Sequence, residues 1–148
     1  MEHITANFLI NNIERAFEVW PKGGYAEHLS FDQFCEYILP YRVGNEPIEF
    51  WRDSLKNKYN DIWAHGYHEG WRHSACCEIN NRLREEAGVY LLPPAFPIEK
   101  YSILARMFIG DCDSYGARAT FAMRAKGVPV VKDFTPQWAY RDMGHSWN

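Results

Sequence analysis

Residues 92 to 97 read Leu-Pro-Pro-Ala-Phe-Pro, and three prolines in six residues exclude both a helix interior and a central strand. This run divides the chain into two stretches of different character. Before it, apolar residues recur at helical spacing. After it, one helix gives way to short alternating segments that read as strands. Either part alone is small for an independent core, so the run is read as an internal turn of a single domain over residues 1–148. A helical part covers residues 1–92 and a second, chemical part covers 98–148.

Four helices are expected before the prolines. The first covers Ile4 to Trp20, with Phe8, Leu9, Ile13, Ala16, Phe17 and Trp20 at helical spacing, and Pro21-Lys22-Gly23-Gly24 ends it. Ser30 and Gln33 form a capping-box pattern that opens a short helix through about Leu39. A third runs from about Ile48 to Trp63, with Trp51, Leu55, Tyr59 and Ile62 on one face. A fourth begins near Glu69 and reaches Glu86, with Gly88 where a C-cap glycine belongs. Tyr37-Ile38-Leu39-Pro40-Tyr41-Arg42-Val43-Gly44 stands out as a segment that no local rule explains.

Beyond the prolines, Tyr101 to Phe108 reads as one or two helical turns. A helix from about Cys112 to Lys126 presents Tyr115, Ala119, Ala122 and Met123 inward and stops at Gly127. Val128 to Phe134 alternates toward a strand, with Pro129 near its start, where a ladder donor can be missing. Thr135 to Trp138 and Asp142 to Gly144 read as strand end and turn, and His145 to Asn148 as an antiparallel return. The expected fold class is α+β: a helix-rich front packed on the last helix and a small antiparallel sheet.

Composition narrows the function classes. A net charge of −3, with Lys and Arg scattered, supplies no basic field for nucleic acid. No apolar run approaches the ~18–20 residues of a membrane-spanning helix, and residues 1–7 do not form a signal peptide. Cys35, Cys76, Cys77 and Cys112 show neither a CxxC nor a disulfide framework, so the first three are expected to be free, mostly buried thiols. His65, His68 and His73 lie near Cys76 and Cys77, but no pair matches a zinc-site spacing, and no metal is expected. Trp20, Trp51, Trp63, Trp71 and Trp138 could line a carbohydrate or peptide face, although at helical spacing such residues are more often core.

The chemistry concentrates at Cys112 and His145. Cys112 opens a helix, where unpaired backbone N–H groups and the positive end of the dipole favour a thiolate and can hold a developing oxyanion. An imidazole brought beside it supplies the general base and acid of nucleophilic acyl transfer. Asp111 and Asp113 flank the thiol and would oppose its ionisation unless they cap the helix and point away, which is the expectation.

Three motifs occur in order. Gly110-Asp111-Cys112-Asp113-Ser114-Tyr115 places a cysteine at a helix start after a Gly-x step. Arg124-Ala125-Lys126-Gly127-Val128-Pro129-Val130 ends that helix and enters a strand, and Gly144-His145-Ser146-Trp147 carries the histidine, 33 residues beyond the cysteine. Over residues 100–148 this arrangement resembles the transglutaminase-like branch of the papain-like cysteine protease superfamily. The resemblance implies that Cys112 is the nucleophile and His145 the general base and acid, with Gln137 and Trp138 close enough to line the cleft.

The implied activity is thiol-dependent acyl transfer on peptide or glutamine-type amides, with hydrolysis at least as favoured as cross-linking. Its partner is a peptide or protein substrate, and it needs no cofactor. The family's third residue, an Asp or Asn that orients the imidazole, sits on the strand after the histidine strand. Asn148 is a poor substitute, because three residues along a strand its side chain points to the opposite face from His145. The expectation is therefore a truncated chain, or completing strands from elsewhere in a longer parent, and weak or absent turnover by these 148 residues. Loss of triad orientation costs on the order of 10⁴ in rate in serine proteases. The rival expectation is a non-catalytic transglutaminase-like module that binds peptide or glycan or supports neighbouring domains. The sequence does not fix the compartment and is compatible with an excised piece of an exported bacterial protein.

Overall fold

A computed structural model describes residues 3–20, 25–62, 70–86, 89–90, 99–106, 109–139 and 143–148. The elements in chain order are α1 (Ala6–Val19), α2 (Phe31–Tyr37), α3 (Arg52–Lys58), α4 (Gly70–Glu86), β1 (Val89–Tyr90), α5 (Tyr101–Leu104), β2 (Ile109–Gly110), α6 (Cys112–Ala125), β3 (Asp133–Thr135) and β4 (His145–Trp147). The fold is α+β and helix-rich, with a small two-stranded antiparallel sheet.

Helix α6 organises the rest. It touches α1, α3, α4, α5, β2 and β4, and every residue from Gly116 to Ala125 is buried. A helix enclosed on all sides cannot be amphipathic, and the Gly, Ala and Thr content of α6 lets neighbours approach its backbone closely. The expected inward stripe of Ala119, Ala122 and Met123 is buried, whereas Tyr115 is half-buried. Around α6 lie Trp51, Leu55, Tyr59 and Ile62 from the α3 region, Ile79 and Leu83 from α4, and Leu104 from α5, all in one cluster. That core draws on residues from both sides of the proline run.

The front helices are fixed by local chemistry that the sequence partly announces. The Ser30–Gln33 capping box forms in both directions (Gln33 N to Ser30 Oγ 3.2 Å, Ser30 N to Gln33 Oε1 3.0 Å). Thr5 caps α1 by accepting from the Phe8 amide at 3.2 Å. Only one edge of α1 packs inward: Phe8, Asn12 and Ala16 are buried, while Leu9, Ile13 and Phe17 remain about two-fifths exposed. Helix α3 is shorter than its periodicity suggests. Residues 46–50 have no helical structure, and the buried Glu46 carboxylate holds the preceding turn by accepting from the amides of Val43 (2.7 Å) and Gly44 (2.8 Å).

The segment from Tyr37 to Gly44 now has an explanation. It is largely irregular, so its carbonyls need partners from elsewhere. Arg52 Nη2 donates to the carbonyls of Ile38 (2.7 Å), Leu39 (3.1 Å) and Pro40 (3.3 Å). Arg124 donates to Tyr37 (3.2 Å) and Arg42 (2.8 Å), and the Trp51 indole to Tyr41 (3.1 Å). Asn12 contributes its amide to the Leu39 carbonyl at 2.9 Å and accepts from Arg52 Nε at 2.7 Å.

The strands differ from expectation in two ways. Residues 128–132 are not part of a ladder, and β3 begins only at Asp133, with Pro129 unable to donate. Val128 and Val130 are nonetheless buried, so the alternation recorded packing, not pairing. A parallel pair, Val89 with Ile109 and Tyr90 with Gly110, carries no sequence signal of its own. The β3–β4 hairpin is antiparallel as expected, with Asp133 opposite Trp147, Phe134 opposite Ser146 and Thr135 opposite His145. The proline run at 92–97, Pro21–Gly24, Trp63, His65, His68 and Gly88 lie outside the described residues.

Candidate active site

The site is built on the first turn of α6. Asp111 is the N-cap, in extended conformation, and its Oδ1 accepts from the Ser114 amide at 2.9 Å. Cys112 follows as the first helical residue, a free and half-buried thiol. The Asp113 carboxylate is taken up by the hairpin: its Oδ1 accepts from Lys132 Nζ at 2.5 Å and from Ser146 Oγ at 2.7 Å. Asp111 therefore caps the helix as expected, whereas Asp113 does not cap it and is instead partnered by the hairpin. Burial acts to raise the Asp113 pKa, but the hydrogen bonds from Lys132 and Ser146 and the Lys132 charge outweigh it. The carboxyl is held below its ordinary value.

Asp113 also sets the position of β4. Ser146 faces α6 and is buried; alternation along the strand then turns His145 and Trp147 to the other side. The His145 ring is half-buried and meets Trp138 edge-on at 4.5 Å and Trp147 at 5.9 Å between centroids. Asn148 turns its amide toward Met123 Sδ (3.6 Å), to α6 and not to the imidazole. Among the described residues no side chain hydrogen-bonds to the His145 ring, and no hydrogen bond joins it to the Cys112 thiol.

Cys112 and His145 nevertheless both border a cavity of about 460 Å³ between α4, α6 and β4, a volume typical of small-molecule or side-chain sites. Cys112, Tyr115, Gly116 and Ala119, at i, i+3, i+4 and i+7, make one wall. Asn80, Leu83 and Arg84 of α4 face them. His145, Ser146, Trp147 and Asn148 close the third side. The two residues singled out from sequence thus line one cavity. The other two, Gln137 and Trp138, lie on the exposed hairpin: Trp138 packs against His145, and the tryptophan that lines the cavity is Trp147.

Sequence reading missed the α4 wall altogether, because α4 carries no motif. The spacing of Asn80, Leu83 and Arg84 marks one helix face, but nothing local says what that face meets. It also missed Ser146 as the link to Asp113, although period-two alternation beside His145 assigns that serine to the helix side.

The remaining candidates separate. Trp51 is core and Trp20 stacks on Phe34 at 4.5 Å, so these two do not form a common binding face with Trp138. Cys35, Cys76 and Cys77 form no disulfide among the described residues, and Cys77 is exposed, not buried. Burial, with Cys77 nearby, pushes the Cys76 thiol up. Among the described residues no three His, Cys, Asp or Glu side chains converge as a metal site, and no helix is long and apolar enough to cross a membrane. The chain matches no family model, no curated protein and no solved structure.

Proposed function

We propose that this chain carries a thiol nucleophile site for acyl transfer on peptide or glutamine-type amides, in a transglutaminase-like or papain-like arrangement. The supporting observation is the shared cavity: half-buried Cys112, at a capped helix start, and His145 both border one space large enough for a substrate side chain. In this scheme His145 takes the Cys112 proton as sulfur attacks the carbonyl carbon. Backbone N–H groups at the helix start receive the oxyanion. The C–N bond then breaks, His145 returns the proton to the departing amine, and the thioester is resolved by water or by an amine.

Alkylation by iodoacetamide at neutral pH, mapped by mass spectrometry, tests the nucleophile. Cys112 should react several-fold faster than Cys35 and Cys77, and His145→Ala should slow Cys112 alone. Reaction of Cys112 no faster than those two thiols would remove the proposal.

A second reading, a binding module without turnover, draws support from the absence of a thiol–imidazole hydrogen bond among the described residues and from the packing of the imidazole on Trp138 and Trp147. An activated ester such as p-nitrophenyl acetate distinguishes the two. A Cys112-dependent acyl-enzyme burst supports the enzyme, and its absence in the folded protein supports the module.

A further inference from the structure

Arg84, which lines the cavity, differs from several other cations of the described chain. Arg82, two residues earlier on α4, is held by Asp61 (2.9 and 2.7 Å) and Glu78 (2.8 Å). Lys58 pairs with Glu86 at 2.6 Å, Arg118 with the same carboxylate at 3.4 Å, and Lys132 with Asp113 at 2.5 Å. No carboxylate among the described residues pairs with Arg84, which lines the cavity together with Asn80, one turn earlier on the same helix face. Among the described residues no acidic side chain lines that cavity. Arg84 shares that lining with the apolar Leu83, Tyr115, Ala119 and Trp147 and is itself exposed, so its charge is accessible to a ligand that enters the cavity.

We infer that Arg84 is a carboxylate-recognition residue: the acyl donor that reaches Cys112 carries a carboxylate near the reacting carbonyl, gripped by the planar fork of Arg84 with Asn80 as a second donor. The inference rests on the acyl-transfer reading for its reacting group. The carboxylate itself belongs either to an Asp or Glu side chain or to a peptide C-terminus, since the guanidinium meets the same two oxygens in both.

Two maleimides that differ by one charge test the assignment on the intact chain. The rate of Cys112 modification by 3-maleimidopropionate is divided by its rate with N-ethylmaleimide, so the intrinsic reactivity of the thiol cancels. The ratio should exceed that at Cys35, on the separate helix α2, by about three- to tenfold, given one attractive charge within a Debye length. It should fall toward the Cys35 value in Arg84→Gln and in high salt, and invert in Arg84→Glu. Circular dichroism confirms that the variants, changed at an exposed position, remain folded.

A ratio equal to that at Cys35, or unchanged in both variants, overturns the inference. A slow absolute rate with both reagents bears on the acyl-transfer reading alone. Protection of Cys112 by N-acetyl-trialanine with a free C-terminus assigns the carboxylate to a chain end, and protection by the amidated Ala-Glu-Ala peptide assigns it to a side chain. Either supports the inference when lost in Arg84→Gln, and protection by the amidated trialanine alone opposes it.

Discussion

Two carboxylates beside a thiol have opposite consequences depending on where their oxygens are spent. Asp111 spends one on the Ser114 amide, and Asp113 spends one on Lys132 and Ser146. The sequence made the first visible, because Asp before a helix start is an N-cap pattern. It hid the partners of the second, which lie 19 and 33 residues away. The Asp113 carboxyl is held below its ordinary value, so it stabilises the fold at pH above the unfolded value of roughly 4, and that contribution fades as pH falls through the lower folded-state value. Asp113→Asn should therefore cost about 1 kcal/mol at pH 7, a modest figure because solvent reaches the pair. The difference from the native protein should shrink as pH falls through the lowered folded-state value and the native carboxyl protonates. Urea midpoints at neutral and at acid pH check this, and a pH-independent difference would show that shape, not charge, holds the hairpin.

At the scale of elements, α6 and the β3–β4 hairpin depend on close backbone approaches that only particular glycines allow. Gly127 ends α6 with φ +74°, and a Cβ there would lie 2.9 Å from the Val19 carbonyl oxygen of α1. Gly127→Ala should cost about 2 kcal/mol or more, combining left-handed strain with the collision. Gly116→Ala provides the contrast. Its Cβ would meet only the flexible Lys132 stem at 3.4 Å, and the change should alter stability by under about 1 kcal/mol, since Ala is also the better helix former. Thermal unfolding of the two variants measures the difference, and equal losses would remove the geometric explanation. The helix ends and the hairpin were legible because caps, glycine stops and alternation are local. The early end of α3, the parallel β1–β2 pair and the solvent-facing apolar edge of α1 were not, because each is set by what the element meets in space.

For the molecule as a whole, the segment from Tyr37 to Arg42 joins the helical front to α6. All six of its carbonyls accept from side chains, three of them from Arg52, two from Arg124 and one from Trp51, with Asn12 sharing the Leu39 carbonyl. No sequence rule identifies such a segment, since its partners come from α1, α3 and α6 and it has no periodicity of its own. Burial lowers both guanidinium pKa values, Arg52 to about 9 with Arg124 repelling it and Arg124 to about 10, so each remains charged at neutral pH. Removing either donor strands buried carbonyls, and Arg52→Met or Arg124→Met should cost about 3 kcal/mol or more. The double variant is the more informative measurement. If one segment is clamped from two sides, the first loss already releases much of it and also relieves the repulsion between the cations. The double loss should then fall short of the sum by about 1 kcal/mol or more. Additivity within about 0.5 kcal/mol would mean that Arg52 and Arg124 hold independent pieces of chain. Because α6 begins at Cys112 and ends beside Arg124, a coupled result would further predict that Arg124→Met slows alkylation of Cys112 from the far end of the same helix.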